Sequence, residues 1–328
     1  MPFLVLADPK RPSPGERPRF LGNSGPAFLN FKAGKLDMKF SARRGIAGGV
    51  AAMLILLFVG SVALAQAPKP NQVPKSNASK NINLCNGVDR TSPEPQILGC
   101  TGLINSGDLT TTAMAIAYNN RGDAYTAKGN YDLALQDFEQ SIKHNPTYAK
   151  PFNNRGVINL KKGEYDQALE NLNQAIKLDP NYAAAFANRA QAYQKKNEFD
   201  HAARDYDEAL RLKPDFNAIW NGRCWTRAIL GELQAALTDC NKALQFEPKN
   251  ATAYDSRGFT YLKMGQFDSA IDDYSSALRI EPKLASALYG RGLAKRKKGD
   301  SSGANADIAA AKTIQAKIGD DFARYGVQ

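Results

Sequence analysis

The feature that most constrains this 328-residue chain is a repeat with a period of 34 residues between Ala115 and Ala311. A proline ends each of the first five copies, and a turn-forming glycine or asparagine stands near the middle of every copy. The prolines are Pro146, Pro180, Pro214, Pro248 and Pro282, and the turn formers are Gly129, Gly163, Asn197, Gly231, Gly265 and Gly299. A chain that repeats itself at this spacing stacks similar small units in a row and does not build one globular core.

Each copy also carries aromatic and small residues at fixed positions. The aromatic positions are Tyr118, Phe152, Phe186, Trp220 and Tyr254, and the small ones are Ala134, Ala168, Ala202, Ala236, Ala270 and Ala304. We predict two helices per copy, the first about 13 residues long, joined at the turn former and stopped by the proline. Alanine at fixed places allows the two helix backbones to approach closely.

The repeat resembles the tetratricopeptide repeat, and the resemblance covers residues 115 to about 316. It implies an all-α fold, a right-handed superhelical solenoid of about six helix-turn-helix repeats. The repeats lie near 115–148, 149–182, 183–216, 217–250, 251–284 and 285–316. The sixth copy has Ser301 where most copies have an aromatic residue and Ala316 where the others have proline, which is typical of a terminal repeat.

The N-terminal part indicates export. Residues 45–65 are uncharged and apolar, follow three basic residues within 39–44, and end in Ala-Leu-Ala. This order is typical of a signal peptide cleaved after Ala65, although the stretch is also long enough to remain as a membrane anchor. With either outcome the rest of the chain is exported, as a periplasmic or secreted protein. Residues 1–37 have no periodicity, and we expect translation to start at Met38.

Three further segments surround the repeats. Residues 66–82 are rich in Pro, Lys, Asn and Ser and predict a flexible linker. Residues 83–112 hold two cysteines and a short helical pattern, and we expect them to form a disulfide-containing N-terminal cap of the array at 113–316. The tail, residues 317–328, is expected to supply a C-terminal capping helix.

The net charge of +11 is partly a property of the leader. Residues 1–65 carry nine Lys or Arg and three Asp or Glu, so the rest of the chain has a net charge of +5. We therefore expect no nucleic-acid partner. Polyanion or nucleic-acid binding remains an alternative through the basic C-terminal end, which contains Arg291, Lys295, Arg296, Lys297 and Lys298.

Six arginines recur on the first helix, each with an acidic residue or asparagine 16 positions later. The pairs are Arg121 with Asp137, Arg155 with Asn171, Arg189 with Asp205, Arg223 with Asp239, Arg257 with Asp273 and Arg291 with Asp307. Both partners lie eight residues from the turn former, and residues equidistant from the turn of an antiparallel hairpin face each other. The spacing therefore predicts structural ion pairs and not a phosphate site.

In the family that the repeat resembles, the first helices line a concave groove, and polar and aromatic residues recur at those positions here. The candidates are Asn119, Asn120, Asp123, Asn153, Asn154, Val157, Lys161, Asn188, Gln191, Lys195, Asn221, Trp225, Phe259 and Lys263. An asparagine side chain both donates to and accepts from an extended peptide backbone. We expect a protein or peptide ligand with apolar and acidic groups. The alternative is that the asparagines are only soluble helix residues.

No residue pattern indicates catalysis, a cofactor or a metal. His144 and His201 have no second ligand in register, and the sequence has no zinc-type cysteine spacing, nucleophile elbow or phosphate-binding glycine loop. We predict a non-catalytic scaffold whose partner is a protein or peptide, with no small-molecule substrate. An enzyme is the least favoured alternative, because the segments outside the repeats are too short to form a catalytic domain.

The four cysteines predict two disulfide bonds, because export places them in an oxidising compartment. Cys224 lies seven residues before Gly231 and Cys240 nine after it, so a close-packed hairpin can bring them within bonding range. That pairing leaves Cys85 with Cys100. The alternative for Cys224 and Cys240 is a pair of small buried thiols.

Overall fold

The structure is a computed structural model that describes residues 75–87 and 92–327. These residues contain fifteen α-helices and one 3₁₀ turn, and none of the helices is long and apolar enough to cross a membrane. The predicted leader over 1–65, its start at Met38, the apolar stretch 45–65 and residues 66–74 of the predicted linker lie outside the described residues.

The helices follow the predicted repeats in pairs. The N-terminal pair is α1 Lys75–Cys85 and α2 Pro93–Ser106. The six repeats are α3 Thr111–Ala127 with α4 Tyr131–His144, α5 Ala149–Lys162 with α6 Tyr165–Leu178, α7 Ala183–Lys195 with α8 Phe199–Leu212, α9 Trp220–Leu230 with α10 Leu233–Phe246, α11 Ala251–Lys263 with α12 Phe267–Ile280, and α13 Ala285–Lys297 with α14 Ser301–Ile314. The 3₁₀ turn Asn217–Ile219 leads into α9, and α15 Ile318–Arg324 follows the last repeat. Each helix packs on the one before it in the chain, so the array is an all-α solenoid.

The turn former of each repeat has a left-handed backbone conformation. Its φ is 79° at Gly129 and 90° at Gly299, a region that glycine enters without a steric penalty. Asn197 is the one non-glycine with positive φ in the described residues, at 61°. Asparagine tolerates this conformation better than most residues do, which explains why it can replace glycine at the turn of the third repeat.

Small side chains allow the two helices of a repeat to pack closely. The alanines of the second helix, among them Ala134 and Ala168, are fully buried. On the first helix, a Cβ added at Gly122 would lie 2.5 Å from Cε1 of Phe138, so the missing side chain makes room for the ring. The glycine and the large residue opposite it are thus one packing unit.

In the fourth repeat a disulfide bond stands where the other repeats have this contact. Cys224 occupies the position of Gly122, and Cys240 occupies that of Phe138. The two cysteines are bonded, with their Cα atoms 5.3 Å apart, and both are fully buried. The bond joins α9 to α10 and closes a 16-residue separation.

The N-terminal cap has two helices, and it starts earlier than the sequence indicated. Cys85 is bonded to Cys100, with Cα atoms 4.5 Å apart, which joins α1 to α2. Ile82 packs against the buried cluster formed by these cysteines and Leu103. Residues 75–82 therefore belong to α1, and the structure corrects the prediction of a flexible linker for them. The polar composition of these residues gives no helical pattern in the sequence. The helix is held by the disulfide bond and by the packing of Ile82.

Candidate binding groove on the inner face

The first helices of the repeats form one continuous face, here called the inner face. Within it, α3 contacts α5, α5 contacts α7, α9 contacts α11, and α11 contacts α13. Gln194 of α7 joins the two groups of helices, because its Nε2 donates to the carbonyl oxygen of Gly222 on α9 at 3.0 Å. All fourteen predicted groove residues lie on these helices. The structure divides them into an N-terminal half in repeats one to three, where polar side chains dominate, and a C-terminal half in repeats four and five, where aromatic rings dominate.

Asparagines in the N-terminal half bind mainly to one another. Asn188 Nδ2 donates to Asn153 Oδ1 at 2.9 Å, and Asn154 Nδ2 donates to Asn119 Oδ1 at 3.1 Å. Asn153 Nδ2 donates to Asn154 Oδ1 at 3.1 Å, so the chain of bonds crosses three repeats. We call these four residues the asparagine ladder. It ties successive first helices together through paired amides.

The ladder corrects part of the binding prediction. Asn119, Asn153 and Asn188 are at most 1% exposed, and Val157 is 5% exposed, so these side chains do not face a ligand. Hydrogen bonds between neighbouring amides offset part of the cost of burying these asparagines, because an unpaired polar group in the interior costs free energy. Asn154 remains partly exposed and also donates to Asp123 Oδ1 at 2.7 Å.

The exposed positions of this half are charged or polar. Asp123, Lys161 and Lys195 are exposed, and Asn120 and Gln191 are partly exposed. Although the side chain of Lys195 reaches the surface, neighbouring protein atoms remove part of the water from its ammonium group, and this lowers its pKa. An acidic ligand group next to it would favour the charged form.

A cleft of about 460 Å³ extends from the third to the fifth repeat and is lined by first-helix residues and by the loop residues 247–250. Gln191 and Lys195 of α7 line it on one side, and Asn221 of α9 lines it on the other. Tyr206 and Gln194 also line the cleft, and Tyr206 OH donates to Gln194 Oε1 at 3.0 Å. The cleft thus joins three of the predicted groove residues at one place.

The C-terminal half of the inner face is aromatic. The rings of Trp225 and Phe259 lie with centroids 4.6 Å apart. Phe259 is fully buried, which the sequence did not predict for a groove residue. The tail covers it: the ring of Phe322 lies 5.7 Å from that of Phe259, and Tyr325 stands 5.4 Å from Trp225 in edge-to-face geometry.

Lys263 also contacts the tail. Its Nζ donates to the carbonyl oxygen of Tyr325 at 3.1 Å and to that of Ile229 at 3.0 Å. Burial lowers the pKa of this lysine. Trp225, Phe259 and Lys263 therefore lie close together, and the chain's own tail occupies the surface that they form.

The arginine column is structural. Each of the five predicted Arg–Asp pairs is bidentate; in the first, Nε and Nη2 of Arg121 are both 2.8 Å from the carboxylate of Asp137. The same bonds join Arg189 with Asp205, Arg223 with Asp239, Arg257 with Asp273 and Arg291 with Asp307. A planar guanidinium that meets a carboxylate through two parallel bonds is fixed in orientation.

The third nitrogen of these arginines reaches the preceding repeat, which the sequence analysis missed. Arg189 Nη1 donates to Asn173 Oδ1 at 2.7 Å, and Arg257 Nη1 donates to Asn241 Oδ1 at 2.8 Å. The signal was a polar column 16 residues before each arginine, which contains Asn173, Asp207, Asn241 and Ser275. The arginines therefore connect adjacent repeats and are not available to a phosphate.

The basic C-terminal end is partly neutralised. Arg291 and Lys295 both bind Asp307, the lysine at 2.9 Å, and Lys298 pairs with Asp268. Three of the five cations in this cluster thus have a carboxylate partner, which weakens the case for a polyanion site there. In residues 75–87 and 92–327 no group of three His, Cys, Asp or Glu side chains is placed to hold a metal ion.

Comparisons with known proteins agree with this architecture. A family model described as TPR repeat matches residues 158–197, 227–265 and 260–299. Models described as tetratricopeptide repeat match 115–148 and 183–216, and also 138–170. A comparison with curated proteins finds no match.

Solved structures of the same fold are numerous. A tetratricopeptide repeat protein from Parabacteroides merdae has a TM-score of 0.53 and 17% identity over 76% of this chain and 99% of its own. The Cut9-Hcn1 hetero-tetramer of the APC/C has a TM-score of 0.56 and 17% identity, covering 76% and 53%. YrrB, a TPR protein with an unusual peptide-binding site, has a TM-score of 0.46 and 21% identity, covering 58% and 96%. From the family matches, the chain belongs to the tetratricopeptide repeat family.

Proposed function

We propose that this protein is a non-catalytic scaffold that binds a segment of another protein on its inner face, outside the cytoplasm. The observation that carries the proposal is the cleft of about 460 Å³ on that face. Its volume falls in the range of sites that enclose a small ligand or a few side chains of a peptide, roughly 300–1,000 Å³. Gln191, Lys195 and Asn221 supply it with both hydrogen-bond donors and acceptors.

The cleft offers charges of both signs, because Lys195 and Lys249 line it together with Glu247 and Glu281. On the α7 side of the cleft, the exposed ammonium group of Lys195 can form a charge-assisted hydrogen bond with a carboxylate of the ligand. Lys161, also exposed on the inner face, adds positive charge in the preceding repeat. A peptide therefore fits this half of the groove if it places acidic side chains beside these lysines and has backbone amide and carbonyl groups that can bond to Gln191 and Asn221.

Export is part of the proposal. The basic, apolar and Ala-Leu-Ala order of residues 39–65 supports it, and so do two disulfide bonds, which persist in oxidising compartments. The protein would then be periplasmic or secreted, or held at the membrane by an uncleaved 45–65 stretch.

The experiment is affinity capture by the tagged protein from the envelope or medium of its own cells, followed by binding measurements with each purified partner. Lys195→Glu should lower the affinity for a partner that binds in the cleft by about tenfold or more, because it reverses a charge there. Lys177→Glu is the matched control, since Lys177 is also exposed in the last turn of its helix but lies on a second helix. Equal binding by the parent and Lys195→Glu would refute the cleft as the binding site.

A further inference from the structure

The tail of the chain does more than cover the last repeat. We define the C-terminal segment as residues 318–327, which contains α15. A cap needs to cover only α13 and α14, yet the ring of Tyr325 contacts Trp225 on α9 and lies 6.0 Å from that of Phe199 at the start of α8. The segment therefore runs back along the inner face to the third repeat.

Two aromatic side chains make these contacts. Phe322 and Tyr325 are three residues apart, which places them on the same side of a helical turn. Phe322 is 1% exposed and lies between Phe259 and Tyr289, with ring centroids 5.7 and 4.9 Å away. Together with Ile318, 3% exposed, they bury the apolar side of the segment.

One polar contact fixes the end of the segment. Lys263 donates to the carbonyl oxygen of Tyr325, which stands where α15 ends and its carbonyls have no helical partner. A cation at this end of a helix is favourable. The site therefore recognises both the aromatic side chains and the backbone end of a helical turn.

The segment depends on the groove for its conformation. α15 has seven residues, and an isolated helix of fewer than about 12 residues is marginal in water. Only residues 315–317 connect it to α14. Its helix thus forms because the inner face binds it, which is also how a short helical peptide from another protein would be held.

We propose that the C-terminal segment is an intramolecular ligand. A partner helix binds this half of the groove by displacing it, if that helix has two aromatic residues three apart and ends in a backbone carbonyl that can accept from Lys263. This inference rests on the proposed function, for which it names a second class of partner segment and a built-in competitor. A short tether gives the segment an effective concentration on the order of millimolar. Weak ligands are therefore excluded until the segment leaves.

The test uses a fluorescently labelled peptide of residues 315–328 added to the full chain, with binding followed by fluorescence anisotropy. The double variant Phe322→Ala/Tyr325→Ala should bind the peptide at least about tenfold more tightly than the parent, because its site is no longer occupied. Asp320→Ala is the control, since Asp320 is exposed on the same helix. The single variant Tyr325→Ala changes only a partly exposed residue, and it should also bind the peptide more tightly than the parent, by a smaller factor than the double variant. Circular dichroism verifies that each variant is folded.

Equal peptide affinity of the parent and both folded tail variants would overturn the proposal, as would absence of binding to all of them. A parent protein that is dimeric by light scattering and becomes monomeric in Tyr325→Ala would also overturn it, because the segment would then belong to a second copy. Lys195→Glu should leave the binding of this peptide unchanged. A failure here is therefore distinguishable from a failure of the cleft to bind its own partner.

Discussion

Asp255 gives the sharpest test of the energetics of this solenoid. It lies on α11, is 1% exposed, and accepts a hydrogen bond from Ser286 Oγ at 2.7 Å. Burial raises its pKa from 3.8 to about 7, and the bond from Ser286 opposes this shift. The same position holds Asn119, Asn153 and Asn221 in three of the other repeats, so Asp255→Asn introduces a residue that the repeat already accommodates there.

The magnitude follows from linkage. The pKa is 3.8 in the unfolded chain and about 7 in the folded one, so the folded state holds the proton more tightly. The protonated carboxyl group of Asp255 is tolerated in the interior, so the protein has its full stability below pH 3.8. Part of that stability is lost as the pH rises to about 7, because the buried group ionises. Above pH 7, the difference between the pKa values of the folded and unfolded states lowers the free energy of unfolding by about 4 kcal/mol, at 1.36 kcal/mol per unit of pKa. Asparagine carries no charge at any of these values, so the variant avoids the loss.

The assay is urea unfolding of the oxidised protein at pH 5 and pH 8. Asp255→Asn should raise the free energy of unfolding by up to about 4 kcal/mol at pH 8 and by clearly less at pH 5. Asp273→Asn is the matched control, since its carboxylate binds Arg257, and it should lose stability at both values. A variant at position 255 that is no more stable than the parent at pH 8, or a gain that does not depend on pH, would refute the reasoning.

Three further predictions concern the pairs, the disulfides and the leader. Arg257→Ala should cost about 3 kcal/mol of unfolding free energy, because it leaves the buried carboxylate of Asp273 uncompensated, and Arg257→Lys should recover part of it; a loss below about 1 kcal/mol would contradict this. Removing the bond between Cys224 and Cys240 by Ala substitutions should cost about 3 kcal/mol, and thiol titration of the unreduced, denatured protein should find no free thiol. A reporter fused after Gln328 should be active outside the cytoplasm, and activity only in the cytosol would contradict export.

Contacts within one repeat could be predicted from the sequence. Arg121 and Asp137 are equally far from Gly129, and in an antiparallel hairpin this symmetry alone places them opposite each other. The pairing of Cys224 with Cys240 follows from the same geometry. These contacts span about one helical hairpin, so turn position and helical rise determine them.

The sequence by itself determined the unit of the fold. The 34-residue period predicts the helical hairpins, their turns and the order of the repeats, and the 16-residue spacing about each turn predicts the ion pairs. Only the tertiary structure decided how the units use their inner face. The asparagine ladder, the burial of Phe259 and the course of the C-terminal segment back to Phe199 depend on how neighbouring hairpins are oriented and on contacts far apart in the chain. A periodic pattern describes each unit in the same way, whereas these contacts are made between units and break the symmetry that the pattern expresses.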